Sequence, residues 1–199
     1  SRRGAQLIHS AILWHRGGIA MYTGSKPTAL LCIKLITEGF VKELQRKPYD
    51  QINIRDLCRT ADVSRQTFYN LFQNKEDVLR KCIDDIFLDI MARWTSSSRP
   101  SAQQSIQLFV QTFYENQGFM NLLIRDRLET IFSEEFVYAI SGLSKMGDYT
   151  PKEHLDYHLS FYAGGLTSVL IHWMQDKERI SSDALIDLLA NEFALPYFN

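Results

Sequence analysis

Turn-forming residues are scarce in this 199-residue chain, which contains only 10 glycines and 5 prolines. β-Sandwiches and β-barrels need many tight turns, and glycine and proline are the usual residues in them. Their scarcity favours few, long elements and therefore an all-α fold. The hydrophobic fraction of 45% and the charged fraction of 23% are ordinary for a globular protein and exclude a disordered or fibrous chain.

Several other signals are missing from the sequence. The three cysteines, Cys32, Cys58 and Cys82, lack CxxC spacing and are odd in number, so we expect neither a zinc site nor a disulfide framework, and we expect a reducing cytoplasm. No apolar run reaches the ~18 residues that cross a bilayer, so no membrane partner is expected. GxSxG, Walker and GxGxxG motifs are also absent, so the sequence predicts no enzyme and no cofactor.

Charge is unevenly distributed along the chain. The net charge of -1 excludes a generally basic protein that coats nucleic acid. Residues 42–81 nevertheless carry nine basic and six acidic side chains, whereas residues 96–199 carry seven basic and thirteen acidic ones. The first part is therefore the better candidate for a polyanionic partner.

The first 26 residues do not read as part of a domain. Arg2 and Arg3 precede an apolar stretch, but His9, Ser10 and His15 interrupt it, so it is not a signal peptide. We expect residues 1–26 to be upstream, disordered or added in cloning, with Met21 a plausible native start.

The remaining residues show helical periodicity between polar or proline breaks. The pattern predicts about nine α-helices, at 28–46, 54–61, 65–72, 75–95, 101–115, 119–131, 134–143, 152–175 and 182–194.

The segment Ile54–Phe72 has the layout of a helix-turn-helix, in which two short helices are separated by a tight turn. Phe68, Leu71 and Phe72 anchor the second helix. The donors and acceptors expected to point outward, able to read base edges or hold phosphates, are Arg65, Gln66, Thr67, Tyr69 and Asn70. Lys75 adds a cation beside the amides of a helix start, a setting suited to a phosphate. Two short amphipathic helices of this kind also occur in many helical proteins that bind no DNA.

The string VSRQTFYNLFQNKEDVL, Val63 to Leu79, resembles the recognition helix and the following helix start of the TetR family of bacterial dimeric repressors. The resemblance implies that Thr67, Tyr69 and Lys75 hold phosphates, and that Arg65 and Gln66 read bases. Asp62 departs from the glycine often found at the turn, and Leu71 replaces a polar residue of some members. Aspartate can adopt turn conformations, so the first departure is tolerable.

The resemblance implies a homodimer with a helix-turn-helix domain at 27–74 and a ligand-sensing and dimerisation domain at 75–199. Such a protein would bind a pseudo-palindromic double-stranded operator as a cytoplasmic regulator. We expect a repressor that leaves its operator when an unknown small apolar or aromatic effector binds. A coregulator that acts through a protein partner is the alternative within the family.

The penultimate predicted helix carries small residues. Gly164 and Ser168 lie on one face and would allow another helix to approach closely. In the TetR family the last two helices form the dimer interface, so we expect Gly164 and Ser168 to lie there. A helix that packs against another helix of the same chain would also explain the small residues.

Several aromatic residues are candidates for an effector pocket. The candidates are Phe109, Phe113, Tyr157, Tyr162 and Trp173. Each of them would also be an ordinary residue of a hydrophobic core.

His154 and His158 share one helix face and raise a third possibility, a helical metalloenzyme. A pair without a third ligand is usually a solvated surface, so we predict no metal site.

Overall fold

The computed structural model describes residues 27–96, 101–144 and 153–192, and the regular structure in these ranges is entirely helical. The expectation for residues 1–26 lies outside them. The helices, in chain order, are α1 Pro27–Arg46, a 3-10 helix Tyr49–Gln51, α2 Ile54–Ala61, α3 Arg65–Leu71, α4 Lys75–Ser96, α5 Ala102–Glu115, α6 Gln117–Arg125, α7 Glu129–Ser144, α8 Leu155–Gln175 and α9 Ser182–Glu192. None of these helices is long and apolar enough to cross a membrane.

The described residues form two compact units that divide between Asp85 and Ile86. The division therefore falls inside α4, whereas the sequence suggested a boundary in front of this helix. The first half of α4 belongs with α1, because the Cys82 Sγ lies 3.9 Å from the carbonyl oxygen of Thr37. Burial raises the pKa of the Cys82 thiol to about 12, so this sulfur stays protonated and packs as an apolar group.

In the first unit, α1 packs against α2 and α3, and α2 packs against α3. Phe40, Leu57 and Phe68, one from each helix, are fully buried at the centre. The closest approach is at Gly39 of α1, where an added Cβ would lie 3.0 Å from the Cβ of Ala61. Only glycine lets the two helices come this close, so Gly39 sets the spacing of the first unit.

In the second unit, α5 packs against α9 and α6, while α8 packs against α7 and α6. A closed chain of five phenylalanine side chains joins α4, α5 and α7. The consecutive contacts, each with ring centroids 4.5 to 5.1 Å apart, run through Phe87, Phe136, Phe109, Phe113 and Phe132 and back to Phe87. We call this closed set of five side chains the phenylalanine ring. It packs the second half of α4 into the second unit.

The break between α6 and α7 differs from the prediction of helices over 119–131 and 134–143, which is wrong in its bounds. Arg127 adopts a left-handed conformation with φ 58°. The N–H of Arg127 donates to the Ile124 carbonyl and the N–H of Leu128 to the Leu123 carbonyl, the hydrogen bonds of a Schellman motif. Glycine usually occupies such a position, and the arginine here gave no signal in the sequence.

Candidate nucleic-acid interface

The turn between α2 and α3 is a Schellman motif that ends on aspartate. Asp62 has φ 53°, its N–H donates to the Arg59 carbonyl, and the N–H of Val63 donates to the Cys58 carbonyl. Asp and Asn are among the few side chains that tolerate the left-handed region. The expectation that Asp62 can replace the usual glycine is therefore confirmed, and the turn ends α2 where α3 must begin.

The second helix of the motif starts at a serine cap. The Ser64 Oγ accepts a hydrogen bond from the Thr67 N–H at 2.9 Å and lies 2.8 Å from the Thr67 Oγ1. This cap satisfies an amide that the first turn of α3 leaves without a partner. Phe68 and Leu71 are buried, so α3 is fixed by its inner face and by its first turn.

The outer face of α3 carries the polar stripe that the sequence predicted. Arg65, Gln66, Tyr69 and Asn70 are exposed, and Thr67 is half-buried beside the cap. The Tyr69 side chain is 51% exposed, with its ring edge-to-face on Phe68 at 5.4 Å. Positions 65, 66, 69 and 70 lie on adjacent rows of a helix, so these side chains form one continuous surface. We call it the α3 stripe.

Lys75, the sixth predicted DNA-binding residue, does not belong to the α3 stripe. Its ammonium nitrogen donates to the carbonyl oxygens of Tyr49, Asp50 and Ile52. It also lies 4.3 Å from the centroid of the Tyr49 ring. Burial lowers the pKa of the Lys75 ammonium, and burial raises the pKa of Tyr49 to about 12.

A charged network that the sequence analysis missed joins α1 to α2. Lys47 bridges two carboxylates, with Nζ 2.8 Å from the Asp56 Oδ2 and 3.2 Å from the Glu43 Oε2. The Thr60 hydroxyl donates to Glu43, and Asp56 also accepts from the Asn53 amide, whose own oxygen caps α2. The i, i+4 spacing of Glu43 and Lys47 was the available signal.

This α1–α2 network shifts the pKa of its members in the direction of ion pairing. The hydrogen bond from Lys47 lowers the pKa of Asp56, and the hydrogen bond to Asp56 raises the pKa of Lys47. For Glu43, the hydrogen bond from Thr60 lowers the pKa more than burial raises it. All three groups are therefore charged at neutral pH, and they hold α2 against α1.

The five aromatic residues predicted to line one pocket differ in their burial and in their partners. Phe109 and Phe113 belong to the phenylalanine ring. Trp173 is buried, its indole N–H donates to the Ile180 carbonyl at 2.7 Å, and Arg179 lies over its ring. Tyr157 is 73% exposed, and Tyr162 is half-buried with its ring next to Phe161. The periodicity identified buried faces but not which faces meet.

The predicted dimer residues lie on an open part of α8. Ser168 is exposed, and a Cβ added at Gly164 would meet no atom of another described residue within 4 Å. Tyr157 and Phe161 lie on the same helix and are 73% and 70% exposed. Spacings of four, three and four residues place these four positions along one helix face, which we call the α8 face.

His154 and His158, considered above as metal ligands, lie at the start of α8. His154 precedes α8 with φ 61°, and both His154 and His158 are exposed. Within the described ranges, no group of three or more histidine, cysteine, aspartate or glutamate side chains could hold a metal ion.

The fold of the first unit and the α3 stripe define a helix-turn-helix DNA-binding protein. The family models for bacterial regulatory proteins of the tetR family and for a transcriptional regulator C-terminal region match residues 36–82 and 100–192. The protein belongs to the TetR family of transcriptional regulators and is not an enzyme. The metalloenzyme alternative is thereby set aside.

Known proteins agree with this assignment. The HTH-type dhaKLM operon transcriptional activator DhaS of Lactococcus lactis subsp. lactis is 27% identical over 132 residues, which cover 66% of this chain and 68% of the relative. Among solved structures, Lin0861 from Listeria innocua has a TM-score of 0.73 at 18% sequence identity. The match covers 85% of this chain and 92% of the Lin0861 chain. A TetR transcriptional regulator from Streptococcus agalactiae 2603V has a TM-score of 0.59 at 18% identity, covering 83% and 94%. The two structures share the fold.

Proposed function

We propose that the protein is a cytoplasmic homodimer that binds a pseudo-palindromic operator through α3 and responds to a small effector in its second unit. The observation that supports DNA reading most directly is the α3 stripe, which projects polar side chains from a helix fixed by Phe68 and Leu71. Two such helices related by a two-fold axis would read half-sites about one helical turn, ~34 Å, apart.

Individual roles follow from chemistry and exposure. Arg65 and Gln66, at the start of α3, read base edges, because their long side chains carry paired donors or a donor and an acceptor. Thr67 and Tyr69 offer hydroxyls that can donate to phosphate oxygens, and Asn70 extends the stripe by one amide. Phosphate contacts would make binding salt-dependent, whereas base contacts would make it sequence-dependent.

The α8 face is the proposed dimer interface. Two large aromatic side chains, Tyr157 and Phe161, are left in solvent by the protomer, and covering apolar surface stabilises an assembly by about 25 cal/mol per Å². Gly164 and Ser168 lie further along the same face and allow a partner helix to approach. A second copy of α8 related by a two-fold axis would cover this surface.

Effector binding is proposed for the second unit, near the helices that hold Phe109, Phe113 and Thr167. Thr167 is 4% exposed, and its hydroxyl makes no hydrogen bond to the residues that the structure describes. A buried hydroxyl normally has a partner. A small apolar or aromatic molecule with one polar group would supply a hydrogen-bond partner for the Thr167 hydroxyl. An effector that repositions the rings around Phe87 would then bias α4, which continues into the first unit.

The direction of regulation has two candidates. From the sequence we expected a repressor released by its effector. The relative DhaS is named an activator of the dhaKLM operon, and this favours activation as the second candidate. Both bind an operator, so they differ only in what RNA polymerase does afterwards. Transcription in vitro from a promoter that contains the selected operator, with and without the protein, decides between them.

Selection of bound duplexes from a random DNA library tests the proposal. We expect an enriched sequence with two inverted half-sites, about 10 base pairs from centre to centre or a multiple of this spacing. Affinity should fall steeply with salt. Enrichment of no duplex by a folded dimer would contradict the proposal and favour a coregulator that acts through a protein partner.

A further inference from the structure

Lys75, which follows α3 in the chain, places its ammonium group among backbone carbonyl oxygens. Its Nζ lies 2.8 Å from the Tyr49 carbonyl oxygen, 3.1 Å from that of Ile52 and 3.3 Å from that of Asp50. An ammonium group has three N–H bonds and accepts nothing. Three carbonyl oxygens therefore lie within hydrogen-bonding distance of the ammonium group, which has three N–H bonds to offer, and the Tyr49 ring covers a further side of the cation.

These contacts join the two ends of the helix-turn-helix. Tyr49 and Asp50 belong to the 3-10 helix between α1 and α2, and Ile52 directly precedes Asn53, the residue that caps α2. Lys75 is the first residue of α4, only four positions after α3 ends at Leu71. The ammonium group thus holds the entry of α2 against the exit of α3.

We propose that Lys75 is a positioning residue, which orients α3 by closing this carbonyl cage, rather than a phosphate ligand as the sequence suggested. The inference rests on the proposed function in one respect, since it takes the α3 stripe as the surface that contacts DNA. A phosphate at Lys75 would have to compete with these three carbonyl oxygens for the ammonium hydrogens. The cage also suits a compact ammonium and not a guanidinium, whose five N–H bonds form a flat fork.

Lys75→Arg separates the two roles, because arginine keeps the positive charge and binds phosphate at least as well. Affinity for the duplex selected with the native protein is measured at four salt concentrations. Lys42→Arg, an exposed lysine on α1, is the matched control and should change nothing. We expect Lys75→Arg to lose affinity about tenfold, with an unchanged salt slope. Native affinity in Lys75→Arg would overturn the inference.

Lys75→Met gives the second measurement. Loss of one phosphate contact per protomer lowers the salt slope of a dimer by about 1.8. A carbonyl cage predicts weaker binding with a change in slope well below this value. A full loss of about 1.8 would restore the phosphate assignment.

A measurement on the native protein covers variants that do not fold. The ¹⁵N-labelled Lys75 ammonium, hydrogen-bonded three times, should give a slowly exchanging NMR signal without DNA and keep its shift when the duplex is added. Fast exchange in the free protein, or a coupling to ³¹P in the complex, would overturn the inference. If the native protein bound no duplex, the proposed function would fail, while the signal of the DNA-free protein would still test the cage.

Discussion

The Thr60 hydroxyl on α2 donates a hydrogen bond to the carboxylate of Glu43 on α1, and Glu43 is only 3% exposed. Lys47 lies against the other oxygen of the same carboxylate. A buried carboxylate is costly unless its oxygens are satisfied, and here two different partners satisfy them. The contact between the first two helices of the DNA-binding unit therefore depends on the charge of Glu43.

The first prediction concerns acid stability. The pKa of Glu43 is lower in the folded than in the unfolded protein, so its contribution to stability is present above about pH 4.3 and is lost as pH falls through the folded pKa. Asp56 behaves in the same way. We expect Glu43→Gln to lower the free energy of unfolding by about 1–3 kcal/mol at pH 7 and to flatten its loss between pH 5 and pH 2.

Urea denaturation across this pH range measures the effect. The exposed Glu38→Gln on α1 is the control and should follow the native curve. An acid limb equally steep in Glu43→Gln and in the native protein would contradict the role of this carboxylate.

The second prediction tests the close approach of α1 and α2. A Cβ at position 39 would meet both the side chain and the backbone of Ala61, so we expect Gly39→Ala to destabilise the protein by about 1–3 kcal/mol. Gly118 on α6 has no atom within 4 Å of an added Cβ, and Gly118→Ala should instead stabilise by roughly 0.5–1 kcal/mol. Thermal unfolding of both variants checks the opposite signs. Similar shifts for the two would mean that the gap at Gly39 closes without strain.

The third prediction separates phosphate contacts from base contacts on the α3 stripe. Tyr69→Phe removes an exposed hydroxyl and should weaken binding alike on all duplexes. Arg65→Ala or Gln66→Ala should relax preference at particular base pairs by ~1–3 kcal/mol. Titrations on matched and singly mismatched operators measure both effects. If Tyr69→Phe changed preference rather than overall affinity, its assignment to phosphate would have to be given up.

The fourth prediction concerns the proposed dimer. Gly164 faces open space in the protomer, so a leucine there should fit within one chain and act as a wedge only against a partner. We expect Gly164→Leu and Ser168→Leu to shift the protein toward monomer and to lose operator binding in parallel, because each half-site alone is weak. Sedimentation equilibrium reports the shift. Intact dimers in both variants would move the interface away from the α8 face.

The fifth prediction concerns Thr167. Valine has nearly the same shape without the hydroxyl, and that hydroxyl is buried without a hydrogen bond to the described residues. Replacing such a group by an apolar one avoids its desolvation penalty, which is about 1–3 kcal/mol. Thr167→Val should therefore raise the melting temperature of the effector-free protein. A clear decrease would show that the hydroxyl is satisfied and would withdraw support for an effector contact.

Local signals in the sequence were sufficient to locate the helix-turn-helix. Asn53 and Ser64 cap α2 and α3 in the structure, and both are residue types that are common at helix N-termini; the α3 stripe is exposed as predicted. Caps and outward faces depend on neighbouring residues, which a sequence displays directly.

Long-range relationships were not accessible in this way. Phe109 and Trp173 are both buried, as helical periodicity implies, but Phe109 packs on Phe136 while Trp173 bonds to the connection before α9. Which buried faces meet is decided by tertiary packing. Likewise, nothing in the local pattern indicated that the donors of Lys75 would turn to carbonyls 23 to 26 positions earlier.

The phenylalanine ring limits which substitutions its five positions can accept during evolution. Each of its five members touches two others, so no member is terminal and each substitution disturbs two contacts at once. Changes at adjacent members, such as Phe87 and Phe136, share a contact, and their costs should not add. The free-energy costs of changes at Phe87 and Phe109, whose rings are not in contact, should be more nearly additive. Divergent relatives should therefore exchange these aromatics in neighbouring pairs, and a single replacement would persist only until its neighbour compensates.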